Sequence, residues 1–240
     1  MPETRIQLCG RLVARLDGQR IEHGLPGRQG RLAFVYLVAH RKRPVTRDEL
    51  VDALWVEAPA GDALSPLLSK LRRVLPLEGR GEVRLALDPD AWVDLEAAAE
   101  ALHRAQAAVA RGDWTGAWGP ARVAQHVAAR GFVPGDDLPW IAERRRSLEE
   151  LHLHALELVA RACVEIGGGE LDTAERSARA LIARSPYRES GYRLLMEALA
   201  GRGNTAEALL AYERLRTKLR DELGTAPSPE TQSLHRRLLG

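Results

Sequence analysis

The side chains that could do chemistry in these 240 residues are few and scattered. His152 and His154 stand two apart in a stretch that reads as helix, so they point about 200° from each other and cannot share a metal. Cys9 and Cys163 lie far apart with no metal-ligand spacing, and read as two buried thiols in a reducing compartment. No Gly-x-x-x-x-Gly-Lys-[Ser/Thr], Gly-x-Ser-x-Gly, His-Glu-x-x-His or Cys-x-x-Cys run occurs. No catalytic residue, metal site or cofactor is therefore expected. Arg144-Arg145-Arg146 could bind phosphates, but a solvated helix turn paired to Glu149 and Glu150 suits them better. Trp114, Trp118 and Trp140 could line a pocket between helices, although core positions are the commoner use of such residues. The most pointed cluster is LSKLRRVL, Leu68 to Leu75. Leu68, Leu71 and Leu75 share one helical face, Ser69, Lys70 and Arg73 the opposite one, with Arg72 on the flank. Such a polar face either solvates its helix or meets an anion.

The elements that would position this cluster can be read in order. Ile6 and Leu8, then Leu12, Ala14 and Leu16, alternate with period two on either side of an Asp17-Gly18 turn, the pattern of short antiparallel strands. Gly27 and Gly30 bracket a loop. Leu32, Val35, Tyr36 and Ala39 follow helical spacing from Arg31, ended by Arg41-Lys42-Arg43-Pro44. Thr46-Arg47-Asp48-Glu49 is a capping box that opens a helix through Leu50, Ala53 and Leu54. Ser65-Pro66 reads as an N-cap with proline at the first helical position of the next. Gly79-Arg80-Gly81 leads into the alternating strand Glu82–Leu87, and after the Asp88-Pro89-Asp90 turn Trp92-Val93 is a possible closing strand.

From Asp94 the spacing is helical throughout. Leu95, Ala98, Leu102, Ala105 and Val109 form one stripe. Further helices are expected over Trp114–Arg130, from Pro139 to Ile166, and over Leu171–Arg184. A last hairpin carries Leu194, Leu195 and Leu199 against Ala208, Leu209, Tyr212, Leu215, Leu219 and Leu223, with a third short helix after the Pro-rich break. Gly112, Gly169 and Gly203 each precede an alanine (Ala117, Ala174, Ala208) by five residues, and the last two copies lie 34 apart, the tetratricopeptide period.

Two resemblances join these elements. Strands, three helices and a hairpin follow the order of the OmpR/PhoB-type winged helix-turn-helix, whose recognition helix typically ends in a Leu-Arg-x-x-Leu run like Leu71–Leu75. The run from Pro186-Tyr187-Arg188-Glu189 through Asp221-Glu222-Leu223-Gly224 to Pro227-Ser228-Pro229-Glu230-Thr231 resembles the bacterial transcriptional activation domain of the Streptomyces antibiotic regulatory protein (AfsR-like) family. Together they imply a mainly α chain with a small α+β N-terminal domain: a winged helix-turn-helix over residues 1–93, then a tetratricopeptide-like α-helical repeat domain over 94–240. They also imply a sequence-specific, DNA-binding transcriptional activator.

By position, Lys70 is the first candidate for a base contact in the major groove, and Ser69, Arg72 and Arg73 are candidates for base-edge or phosphate contacts. Thr46 and Arg47 would offer a helix N-terminus to a phosphate, and Arg80 or Arg84 would sit on the wing. The resemblance further implies homodimers on direct repeats. It also implies contact with RNA polymerase through the loop before the recognition helix, here Val56 to Asp62. Asp62, Pro66 and Leu67 depart from the family's polar pattern. They suit an alternative, a protein- or ligand-binding helical-repeat adaptor whose winged domain grips DNA weakly or not at all.

Composition fits these readings without choosing between them. The first 93 residues hold 15 Lys and Arg against 12 Asp and Glu, and the remainder 20 against 21, from totals of 35 and 33. That is no histone-like tail. No apolar run approaches a membrane span, and the N-terminus lacks a signal peptide's apolar stretch, so a cytoplasmic protein without membrane partners is expected.

Overall fold

Period-two alternation near the N-terminus does produce strands. In the computed structural model, which describes residues 4–57, 59 and 61–240, β1 (Arg5–Gln7), β2 (Val13–Leu16) and β3 (Gln19–Arg20) are antiparallel neighbours. Ile6 and Ala14 are fully buried on one face. Asp17 and Gly18 both take positive φ (49° and 78°), the mirror-image turn whose twist suits a two-residue hairpin.

The next segment departs from expectation. Gly27 and Gly30 do not bracket a loop, because α1 (Gly27–Ala39) already begins at Gly27. Gly30 is buried inside it, where a Cβ would lie 2.6 Å from two ring carbons of Pro26. Only glycine lets this first turn close on that proline. From Leu32 to Val38 every residue of α1 is buried, so it forms the centre of its unit. It packs against α2 (Arg47–Leu54) and α3 (Leu64–Leu71).

Among the described residues the remaining strands are β4 (Val45–Thr46), β5 (Leu77–Glu78), β6 (Glu82–Leu85) and β7 (Trp92–Val93). The order β4-β6-β5 makes a small antiparallel sheet, with β5 and β6 as the wing. Trp92-Val93 does not close that hairpin. It runs parallel to β1 and completes the order β3-β2-β1-β7.

Contacts divide the chain into two units that interleave in sequence. One comprises the described residues of Met1–Ala97 with Arg130–Leu148, the other Ala98–Ala129 with Glu149–Gly240. The first unit thus recruits the 131–138 turn, whose Gly131 carbonyl accepts from Gly10 N at 2.7 Å and whose Val133 N donates to Leu8 O. Arg145 does not pair with Glu149. Its guanidinium donates to Phe132 O and Val133 O at 3.0 and 2.6 Å and pairs with Asp137. Buried Asp94 accepts from the backbone N–H of Leu8 and of Cys9, tying the start of the following helix to β1.

The second unit is helical: most of α4 (Asp94–Ala110), α5 (Trp114–Ala128), the later part of α6 (Pro139–Ile166), α7 (Leu171–Arg184), α8 (Glu189–Gly201), α9 (Thr205–Leu223) and α10 (Pro229–Leu239). Its early helices meet through alanine. Ala101, Ala124 and Ala155 form one cluster and Ala108, Ala117 and Ala162 another, while Leu102 and Val109 are only half-buried. Small side chains let helix axes approach closely, and the larger residues flank the seam. The three repeat alanines Ala117, Ala174 and Ala208 are all fully buried. The glycine at the second copy is displaced, with Gly167 and Gly168 rather than Gly169 at positive φ. Of the last hairpin's stripe, Leu223 is 55% exposed. Here α9 ends on Gly224 in the left-handed conformation, with Thr225 N reaching back to Leu219 O. Glu189 then accepts from the N–H and hydroxyl of Ser228 and the hydroxyl of Thr231, fastening α10.

Candidate nucleic-acid interface

Leucine spacing fixes how α3 lies. Leu64, Leu67, Leu68 and Leu71 are all buried, as is Leu75 beyond the helix end, each worth about 1.5–3 kcal/mol of burial. Leu67, expected on the polar face, is a core residue instead. The helix starts at Leu64, so Ser65 is not its N-cap. The side chain that caps this end is Asp62, whose Oδ1 accepts from Ser65 N at 2.9 Å. Hydrogen bonds from Ser65, with Arg47 alongside, hold the Asp62 carboxyl below its usual range. Arg47 donates to Ser65 Oγ at 2.6 Å and lies 3.5 Å from Asp62. Arg47 is thus a brace between α2 and the start of α3 rather than a side chain held out for a phosphate. Asp62 and Leu67 each have a structural task, although the Asp62 carboxylate stays ionised and exposed at this end of α3. Pro66 is exposed.

Beyond Leu71 the chain tightens into turns, with Arg73 N bonding to Lys70 O and Val74 N to Leu71 O. Ser69, Lys70 and Arg73 stand on the exposed face, with no side-chain partner among the described residues. Arg72 differs from them, because its Nη2 donates to Gly79 O at 2.6 Å. It ties the end of α3 to the base of the wing. Gly79 itself has φ 82°, and a Cβ there would fall 2.0 Å from Glu82 O, so the turn requires glycine. Arg80 is exposed at the wing turn, and Arg84 points outward on β6 in register with Glu78. Neither has a partner among the described residues.

Thr46 forms the expected capping box. Its Oγ1 accepts from Glu49 N at 3.2 Å and Glu49 Oε2 accepts from Thr46 N at 2.8 Å. Arg43 also grips Glu49, and this hydrogen bond, with that from Thr46 N, holds the Glu49 carboxyl down at about 2. The cap fixes α2, which carries Arg47.

The other sequence candidates are structural. Burial pushes the Cys9 thiol up to about 12 and Cys163 to about 11, so neither supplies a thiolate near neutral pH. His152 is buried and His154 exposed. The Trp140 indole donates to Ala53 O at 2.8 Å and meets Tyr36 and Phe132 edge to face, all within the first unit. Trp114 and Trp118 belong to the second unit. Among the described residues no group of three or more His, Cys, Asp or Glu could hold a metal, and no helix is long and apolar enough to cross a membrane.

Residues 93–239 match the family model of the bacterial transcriptional activator domain, which is more than half of the chain. The chain belongs to the AfsR-like family of transcriptional regulators. It is 34% identical over 248 residues to the regulatory protein AfsR of Streptomyces coelicolor, covering 98% of this chain and 24% of AfsR. To the transcriptional regulatory protein EmbR of Mycobacterium tuberculosis H37Rv it is 31% identical over 245 residues, 97% of this chain and 62% of EmbR. It therefore spans about a quarter of AfsR and about three fifths of EmbR. The structure of Mycobacterium tuberculosis EmbR in complex with a low-affinity phosphopeptide superposes with TM-score 0.82 at 28% identity, over 99% of this chain and 65% of that one. The mainly helical architecture behind a small α+β winged region is thus that of a known regulator.

Proposed function

We propose that this AfsR-like regulator binds double-stranded DNA in a sequence-specific way through α3 and the wing. One observation carries the reading. Lys70, Arg73, Arg80 and Arg84 are exposed and unpaired among the described residues of this one motif, whereas Arg43, Arg47 and Arg72 nearby are all engaged. Free cations on a helix that fits the major groove, and on the turn and wing beside it, are what phosphate and guanine recognition needs. In this reading Lys70 and Ser69 face base edges and Arg73 a base edge or phosphate. Arg80 and Arg84 meet the backbone from the wing, and the α2 N-terminus behind Thr46 meets a phosphate.

The reading extends to the whole chain. Residues 1–93 form the DNA-binding domain and 94–240 the activation domain of a cytoplasmic activator. Two copies bind head to tail on direct repeats about one helical turn apart. The loop from Val56 to Asp62, of which Ala58 and Ala60 lie outside the described residues, meets RNA polymerase. Its Val56 is 84% exposed, which supports a role in contact.

The test is selection from a genomic DNA library at two salt concentrations, with sequencing of the retained fragments. An enriched direct repeat with a steep salt slope is the expected result. Sequence-blind retention that vanishes at moderate salt would refute it, and footprinting of a single half-site would refute the dimer.

A further inference from the structure

Between the first sheet, α1 and the 131–138 turn lies a cavity of about 340 Å³ that the DNA-binding reading does not use. Its volume is in the range of small-molecule sites, roughly ten water molecules at liquid density. The floor is apolar, made by Leu8, Leu32 and Val35, all buried, with Leu12 beside them. Arg11 and Arg31 stand at its rim, both exposed and without a side-chain partner among the described residues. The acids that also line it are already engaged. Glu22 accepts from Arg20 and from Ala14 N, and Asp136 pairs with Arg28 at 2.6 Å. The cavity therefore combines an apolar interior with two uncompensated guanidinium groups.

Its wall is held in an unfavourable conformation. Val133 has φ 39°, a region that β-branched residues avoid. It is fixed there by its N–H to Leu8 O and by Arg145 on its carbonyl. Backbone held against its preference is concentrated where a surface must keep a shape.

We infer that this cavity binds a small amphipathic anion, a single carboxylate or phosphate head on an apolar body, with the head on Arg11 and Arg31 and the body on the leucine floor. A guanidinium pair suits both head groups, through paired N–H donors aimed at two oxygens. The inference stands independently of DNA binding. The wall helix α1 packs on α2 and α3, which gives an occupant a direct route to the proposed interface.

The test uses the full chain and the fluorescent aryl sulfonate anilinonaphthalene sulfonate, itself an apolar body with one anionic head. Saturable binding at one site is expected, displaced by octanoate if the natural head is a carboxylate or by hexyl phosphate if it is a phosphate. Arg11→Gln and Arg31→Gln should each weaken it on the order of tenfold, the loss of one charged hydrogen bond. Both residues are exposed and unpartnered, so thermal midpoints should not move. Arg104→Gln with Arg214→Gln, exposed cations of the second unit that do not line the cavity, should leave binding intact. Leu12→Trp, which fills the cavity, should abolish it even with the arginines present. Unsaturable binding, equal binding by the Arg11 and Arg31 variants, or displacement by neither anion would overturn the proposal.

Discussion

Replacing Lys70 and Arg73 together with alanine removes two of the four unpaired cations on α3, the turn after it and the wing while leaving the leucine face untouched. Each phosphate neutralised contributes about −0.9 to the slope of log K against log salt. With Arg73, Arg80 and Arg84 on phosphates the slope for one copy is about −2.7, so raising salt from about 50 to about 200 mM should weaken binding about 40-fold. The double variant should show a slope of about −1.8 and a loss of only about 12-fold over the same interval. Arg72→Ala is the internal control. Its guanidinium is bound to Gly79 O, so its removal should loosen the wing and lower affinity while leaving the slope within about 0.5 of the parent. Fluorescence anisotropy on a single selected half-site, where one copy binds, reads both quantities at four or five salt concentrations. If Arg72→Ala flattens the slope as much as the double variant does, the division into free and structural cations is wrong. If none of the variants changes the slope, α3 does not touch phosphate.

Other consequences follow from single residues. Leu68→Ala, at a fully buried position of α3, should cost about 2–5 kcal/mol in chemical denaturation and abolish DNA binding with it. Thr46→Ala removes half of the capping box and should cost about 1 kcal/mol, with Thr46→Ser restoring most of it. Gly30→Ala places a Cβ 2.6 Å from the Pro26 ring, and should lower stability by about 1–3 kcal/mol although alanine is the better helix former. The Glu49 carboxyl falls from an ordinary 4.5 to about 2 in the folded chain. Its stabilising effect is therefore complete above about pH 4.5 and lost as pH falls through about 2. Glu49→Gln should flatten the fall in thermal midpoint over that window.

What the sequence disclosed was whatever depends on neighbours a few residues apart. The Thr46–Glu49 box, the Asp17-Gly18 turn and the bounds of α6 and α7 are local, and periodicity or capping chemistry determines them. Longer-range contacts were not legible. A two-residue strand such as β5 has no periodicity of its own, and β7 is assigned to its sheet only by pairing with β1, some 87 residues earlier at Arg5 and Trp92. Gly27 and Gly30 read as loop because the close fit of Gly30 on Pro26 is a matter of space, not of propensity. At the candidate interface the residue types were visible but not their engagement. Arg72 and Arg73 are adjacent and chemically identical, and only the position of the Gly79 carbonyl separates a tether from a free cation. Asp62 could be read only as a charge and not also as a cap, because its capping bond depends on where α3 begins. Arg145 was assigned to acids one turn away, while the carbonyls it holds lie 12 and 13 residues back.

The alanine seams of the second unit have a consequence for heredity as well as for packing. Single-base changes in an alanine codon yield valine, threonine, serine, proline, glycine, aspartate or glutamate. At Ala117, Ala174 and Ala208, which have no exposed surface, valine and threonine add bulk where helices already touch. Proline breaks the helix, glycine loosens it, and the acids bury a charge. Serine alone comes near to fitting. Single-base change at these three positions is therefore costly almost whatever it yields, while outward faces and turns leave room for substitution.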